Sequence, residues 1–253
     1  MRHTQARLFC TLLLITTGLY GHHAMEFIEL ESYNIAPQGA FVFHLHHDYM
    51  VDDREQPDLD HWELTQGLSY GVTNGLMIDV HAHFAKFGVG HLIEPQTALY
   101  QPTGPSPFME AIAFAMQYQI THNSPLEIAV TLTFEQPFDR SVELLDGKQG
   151  LAAALLINKP ISGHRNLLLN LHTELDGDEL GYGWGLGFRI PLTPDAHGIA
   201  TGIELLGDFA GEYSILPGIY FPLGMQDIVF KTGLEFAPNQ GATRSNITLM
   251  YRF

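Results

Sequence analysis

Cysteine is nearly absent from this 253-residue chain. The one that occurs, Cys10, sits in a leader-like N-terminus, so once that leader is removed no thiol remains. Disulfides, cysteine nucleophiles and cysteine metal ligands are excluded together. Bases are scarce as well: 12 Lys+Arg stand against 28 Asp+Glu, a net charge of -16. Nucleic-acid binding, which needs a basic surface, is excluded as a function class. Long apolar runs are missing too. Although 45% of residues are hydrophobic, no stretch beyond the leader reaches the roughly 18 consecutive apolar residues that a spanning helix needs, so a helical membrane protein is excluded.

The N-terminus reads as a secretory signal. Arg2 and Arg7 give a positive start, Leu8 to Tyr20 is a short apolar run, and Gly21 to Ala24 offers small residues to a signal peptidase. This predicts a signal peptide over 1–24, cut within Gly21–Ala24, and the run is too short to cross a bilayer. Removing its two arginines and no acids leaves ten of the 12 bases against the same 28 acids. Residues 25–38 then form an N-terminal segment that alternates apolar and acidic residues. It is either a periplasmic tail or a plug folded into whatever the rest of the chain, 39–253, encloses.

What is present instead of long apolar runs is alternation. In FVFHLHHDYMV, 41–51, Phe41, Phe43, Leu45, Tyr49 and Val51 fall on one face, broken only by His47, while Val42, His44, His46 and Asp48 fall on the other. That is a strand period, not a helix period. The pattern repeats after Trp62, and TNG at 73–75 joins it to a run from Leu76 to Phe84 as a hairpin. Further runs from Ile112, Leu126, Leu151, Leu167, Leu180, Ile199, Tyr213, Ile228 and Ser245 bring the strands to twelve. Connections after even strands are short, whereas several after odd strands are long, notably 88–106 and 136–149.

An even number of amphipathic strands of about ten residues, with long loops on one side and short turns on the other, predicts a 12-stranded antiparallel transmembrane β-barrel of the bacterial outer membrane. A soluble β-sandwich would also alternate, but its outward polar face would be rich in lysine, which this chain is not. Aromatics near strand ends, among them Tyr49, Trp62, Tyr70, Phe84, Phe108, Tyr118, Phe134, Tyr182 and Phe188, suit the interfacial girdles. The last strand, SNITLMYRF, ends in Phe253 with Tyr251, Leu249 and Ile247 on the same face, the pattern expected of a signal read by the barrel assembly machinery. Outer-membrane lipid and lipopolysaccharide are the implied surroundings, in a Gram-negative bacterium.

From Trp62 onward the chain resembles the outer-membrane family of the MetA (meta-cleavage) pathway of phenol degradation, whose members are described as transporters. The likeness rests on GLSYGVTNG (67–75), EIAVTLTFEQP (127–137), LLINKPIS (155–162), NLHTEL (170–175), GIELLG (202–207) and ILPGIYFP (215–222). These are strand and turn patterns. They imply a barrel and its location, with a small aromatic or apolar compound as the first solute class, and they transfer no functional residue.

The candidate site residues come from the inward parity. Pairing about TNG sets Glu63 opposite Ala85, Thr65 opposite His83 and Gly67 opposite His81. His44, His46 and Asp48 then lie across the narrow Gly67 and Thr65 positions, so that His46, Asp48, His81 and His83, with Asp79, share one patch of wall. Imidazole with carboxylate suits zinc, copper, nickel or iron, and clustered His and acid also suits a pH response. The bland alternative is a polar lumen whose histidines bond to acids and water. His172, Glu174, Arg189, Glu204, Asp208, Lys231 and Glu235 complete the inward charges, and their acidic excess favours cations or neutral solutes over anions. Rows of inward Gly181, Gly183, Gly185, Gly187, Ala111, Ala113, Ala115, Ala152 and Ala154 either keep the lumen open or admit a plug.

No cofactor motif and no hydrolase motif is present. Ser69 and His81 both point inward, whereas a lipid-active enzyme needs Ser, His and acid on the lipid face, where only His47 stands. The expected function is therefore a monomeric barrel that passes small solutes. The alternative is a plugged structural or metal-binding barrel, with a lipid-active enzyme as the remotest reading.

Overall fold

The computed structural model describes residues 27–51, 60–87, 108–121, 124–138, 149–161, 165–177, 179–193, 198–223, 227–238 and 242–253. The expected leader, 1–24, and most of the long connections at 88–106 and 136–149 lie outside the described residues.

Alternating sequence becomes twelve strands: β1 (Phe41–Val51), β2 (His61–Thr73), β3 (Leu76–Phe87), β4 (Phe108–Gln119), β5 (Glu127–Pro137), β6 (Gly150–Ile161), β7 (Arg165–Asp176), β8 (Glu179–Pro191), β9 (Ala200–Asp208), β10 (Tyr213–Pro222), β11 (Ile228–Ala237) and β12 (Ala242–Arg252). Each pairs antiparallel with its chain neighbours, and β1 pairs with β12 to close the barrel. The closing seam is complete, running from Val42 opposite Arg252 to Val51 opposite Thr243. Closure matters because an open edge would leave backbone N–H and C=O groups facing hydrocarbon, at several kcal/mol each by order of magnitude.

The two faces separate as the period of two requires. Leu68, Ile78, Val80, Phe114, Met116, Leu132 and Ile247 stand exposed on the outside, whereas Ser69, Asp79, Gln117, Thr131, Glu204 and Asn246 from the opposite parity are buried within. A soluble barrel would show the reverse. The apolar outer belt is what lipid solvates, and it makes a direct prediction. Replacing Leu132, 49% exposed near the middle of β5, by arginine should destabilise the barrel by about 2–4 kcal/mol if it sits at the bilayer midplane. Guanidinium unfolding in phospholipid vesicles measures this.

The barrel also has a core, and residues 27–36 supply it from inside. Phe27, Leu30 and Tyr33 pack with Ala129, Ala154, Leu156 and Leu168 of β5, β6 and β7. Ile28 packs with Ala200, Leu216 and Tyr220 of β9 and β10. Ile35 and Ala36 close over Val42, Met77 and Met250 of β1, β3 and β12. The segment turns into β1 at Gly39, whose φ of 80° suits glycine, and Gly39 N–H donates to the Gly71 carbonyl at 2.8 Å.

The inward glycines find their reason here. A Cβ on Gly185 or Gly187 would collide with Leu30 or Phe27, and one on Gly218 or Gly233 would reach the Ile28 side chain. Strand glycine is tolerated where another part of the molecule comes close; at Gly185, Gly187 and Gly218 the N-terminal segment comes closest, and at Gly233 it does so together with Leu216.

Candidate functional site

Histidines converge because β1 and β3 carry them in step on either side of β2. His44 of β1 is directly opposite Gly67 of β2, which is directly opposite His81 of β3. Gly67 has no side chain, so both imidazoles lean over it; a Cβ there would overlap His44 and come within 2.9 Å of His81 Cδ2. Their rings meet edge to face at 4.8 Å. Asp79, two residues before His81, turns its Oδ1 toward both: His44 Nε2 lies 3.2 Å away and His81 Nε2 2.9 Å away. Ser69 Oγ donates to the other oxygen, Oδ2, at 2.9 Å.

A second group forms where the N-terminal segment meets β1 and β12. His46 Nε2 lies 3.0 Å from Asp48 Oδ2 and 3.2 Å from Glu29 Oε1. Asn246 Nδ2 donates to Glu29 Oε1 at 2.5 Å and to Asp48 Oδ1 at 2.9 Å, and the Arg244 guanidinium stands 3.4 Å from Glu29 and 3.5 Å from Asp48. Burial works against the Glu29 carboxylate, but the His46 hydrogen bond and charge, with Arg244 and Asn246, more than offset it and hold its pKa below the ordinary value.

The expected patch is thus sorted differently in space. Of the four residues put forward as metal ligands, His46 and Asp48 belong to the group around Glu29 and His81 to the group around Asp79 and His44. His83 belongs to neither group: its Nδ1 is 3.2 Å from Thr65 Oγ1 and its Nε2 4.0 Å from Glu135.

Between the histidine wall and the N-terminal segment lies a cavity of about 410 Å³, lined by His44, His46, His81 and His83 on one side and by Phe27, Glu29 and Leu30 on the other. Its volume is in the range that takes a small molecule. Met77 and Met250, packed under Ile35 and Ala36, lie at the end of the barrel that carries the short turns.

Elsewhere the segment is fastened to the wall by polar groups. The Glu204 carboxylate accepts the backbone N–H groups of Ile28, Glu29 and Leu30 at 2.6, 3.0 and 3.0 Å, and the Tyr220 hydroxyl at 3.1 Å. Lys231 Nζ donates to the Phe27 carbonyl at 2.6 Å. Gln117 donates to the carbonyls of Ser32 and Tyr33, Gln119 to that of Tyr33, and Asn170 to that of Glu31. The Tyr33 hydroxyl donates to the Thr121 carbonyl; burial and the nearby Glu127 charge push this phenol up to about 12, so it keeps its proton.

The remaining inward candidates are scattered. Arg189 sits 5.7 Å over the Tyr220 ring. Glu235 accepts from Ser214 at 2.5 Å and faces Arg244 at 3.2 Å, and Glu63 pairs with His61 at 3.3 Å. His172 fills the space beside Gly183, across the lumen from the histidine wall, and Glu174 is exposed further along β7. Asp208 is spent on a turn, accepting the N–H groups of Gly211 and Glu212. Sequence reasoning missed Glu29, Glu31, Gln117, Gln119, Arg244 and Asn246 as site residues. The acidic alternation of 25–34 was the signal for the first two, and the others looked like any inward polar residue.

Ser69, His44 and Asp79 resemble a catalytic triad only in composition. A relay needs one imidazole nitrogen on the serine and the other on the acid, whereas His44 uses the same Nε2 for both, at 3.3 and 3.2 Å. Ser69 is 0% exposed.

Glu31 of the segment is shifted in the opposite direction to Glu29. Burial raises its pKa above the ordinary value, against the hydrogen bond from Thr131 and the charges of His172 and His81. Its docked form therefore holds a proton more tightly than the free segment would. That contribution to docking is full below the free-segment pKa and is lost as pH rises through the docked one. Glu31→Gln, neutral throughout, should slow proteolytic release of the segment several-fold at pH 8 and leave it unchanged near pH 4, compared with the unsubstituted chain.

No family model and no curated protein matches this chain. Solved structures do. An outer membrane channel from Pseudomonas putida F1 superposes with a TM-score of 0.61 at 12% identity, covering 90% of this chain and 100% of that one. The KdgM porin gives 0.55 at 11% identity, over 83% and 99% of the two chains. The same porin in complex with disordered oligogalacturonate gives 0.54 at 12%, over 84% and 99%. At these identities the likeness is one of fold. With its closed seam, apolar exterior and polar, filled interior, the chain is a 12-stranded outer-membrane β-barrel of a Gram-negative bacterium.

Proposed function

We propose that this barrel is a non-catalytic channel for small solutes, and that the N-terminal segment keeps it closed until it is displaced. The observation that carries the reading is the coincidence of a lumen-filling segment with a cavity left on one side of it. The segment's polar anchors reach β1, β4, β5, β7, β9, β11 and β12, and its apolar residues seal the end with the short turns. Solute entering from the end with the long connections collects in the histidine-lined cavity, and passage follows when the segment swings out.

The cavity supports a one-ring aromatic or similar compact solute, which is also the class implied by the resemblance to the phenol-degradation family. Phe27, Leu30, Met77 and Met250 offer apolar contact, while the imidazoles and Glu29, Glu31 and Glu135 receive a polar or cationic end. Excess acid on the lumen wall disfavours anions. Insertion through the terminal Phe253, which is 60% exposed and stacks on Tyr251 and Phe41 at 5.6 and 5.7 Å, belongs to the same reading.

Planar-bilayer recording and liposome uptake test it, with benzylammonium and benzoate as solutes of equal size and opposite charge. Intermittent openings and faster benzylammonium uptake are expected. A barrel that shows neither openings nor uptake is a closed binding or structural barrel instead.

A further inference from the structure

We infer that His44, Asp79 and His81 form a binding site for a single first-row divalent metal ion of the zinc class, set in the lumen wall. The site goes beyond the channel reading and does not depend on it.

Geometry is the first argument. His44, Asp79 and His81 each offer one ligand atom, and the three atoms all lie within 4.8 Å of one another. Ligands about 2.0–2.1 Å from a tetrahedral ion stand roughly 3.3 Å apart. The two nitrogen-to-oxygen spacings here, 3.2 and 2.9 Å, are already close to that separation. His81 Nε2 is buried and makes no hydrogen bond, although Asp79 Oδ1 is so near.

Support around the three ligands is the second. His44 on β1 and His81 on β3 stand directly opposite Gly67 of β2, which provides the space into which both rings fold, and Asp79 of β3 stands opposite Ser69. Ser69 Oγ donates to the Asp79 oxygen that is not shared, which fixes the carboxylate as outer groups do in metal centres. A fourth coordination position faces the 410 Å³ cavity, open to water or to a solute group. Two imidazoles with one carboxylate suit zinc, nickel, cobalt or copper rather than calcium or magnesium.

The neighbouring Glu29–His46–Asp48 group has similar composition but a different electrostatic setting. Asn246 already donates to both carboxylates and Arg244 to Glu29, and the guanidinium charge, 3.4 Å from Glu29 and 3.5 Å from Asp48, repels a cation. No such cation is hydrogen-bonded to Asp79 among the described residues.

Calorimetric titration of the detergent-solubilised full chain with zinc chloride tests the site. The expected result is one ion per barrel with micromolar or tighter affinity, weakened at least about tenfold by His44→Ala and by His81→Ala. Ser69→Ala should weaken it by about tenfold through the loss of an outer hydrogen bond, while His83→Ala and His46→Ala leave it within about twofold. Cobalt substitution should give visible absorption that His81→Ala abolishes, with each variant's barrel confirmed by its shifted gel mobility before heating. Absence of saturable zinc binding, or binding that survives the His44→Ala/His81→Ala double substitution, or binding abolished by His46→Ala alone, overturns the site.

Discussion

Deleting residues 25–38 is expected to raise solute flux and mean conductance by at least tenfold over the full chain, with the barrel still folded. The expectation follows from where the segment's contacts lie. Its apolar residues fill three separate clusters around the interior, so removing it empties the lumen in one step. The strands keep their own ladders, including the β1–β12 seam, without it. Gly185, Gly187, Gly218 and Gly233, which now receive Leu30, Phe27 and Ile28, would line a widened passage. Planar-bilayer conductance with the shortened protein measures the change, and gel mobility before heating reports that the barrel has formed.

The second large effect belongs to Glu204. This carboxylate is 0% exposed and accepts four hydrogen bonds, three of them from consecutive backbone N–H groups of the segment. Glu204→Ala strips the partner from all of them at once. An unsatisfied buried donor costs about 1–3 kcal/mol, so docking should weaken by several kcal/mol and the variant should approach the conductance of the shortened protein. The same substitution should expose the segment to protease in detergent. Glu174→Gln, an inward acid on β7 exposed to the lumen, should leave both readouts unchanged. Equal closure in the Glu204→Ala barrel would mean that apolar packing alone holds the segment.

Much of this architecture is legible in the sequence because a closed antiparallel barrel leaves so little choice. A period of two assigns every strand residue to lipid or lumen, and TNG at 73–75 pins the β2–β3 register, which is found as expected with Gly67 opposite His81. The twelve-strand count follows from the same alternation. The site is less legible. Parity puts His44, His46, His81 and His83 on one wall but does not say which ring leans which way, and that is decided by the missing side chain of Gly67 and by Asp79 one step below. Nor does it separate a lumen acid that holds the segment, such as Glu204, from one that caps a turn, such as Asp208. The role of Glu204 comes from its contacts with Ile28, Glu29 and Leu30, in a segment whose path inside the barrel no local pattern dictates.

The scarcity of cysteine makes the central claim directly testable. Residues 25–253 contain no thiol, so a Leu30→Cys and Gly185→Cys pair, placed where the Leu30 side chain fills the space of a Gly185 Cβ, would be the only disulfide that can form. Benzylammonium uptake into vesicles is then measured before and after reduction. If the segment must leave for solute to pass, the oxidised barrel is closed and reduction restores the flux of the unsubstituted chain. Equal flux through the oxidised and reduced forms would contradict the account.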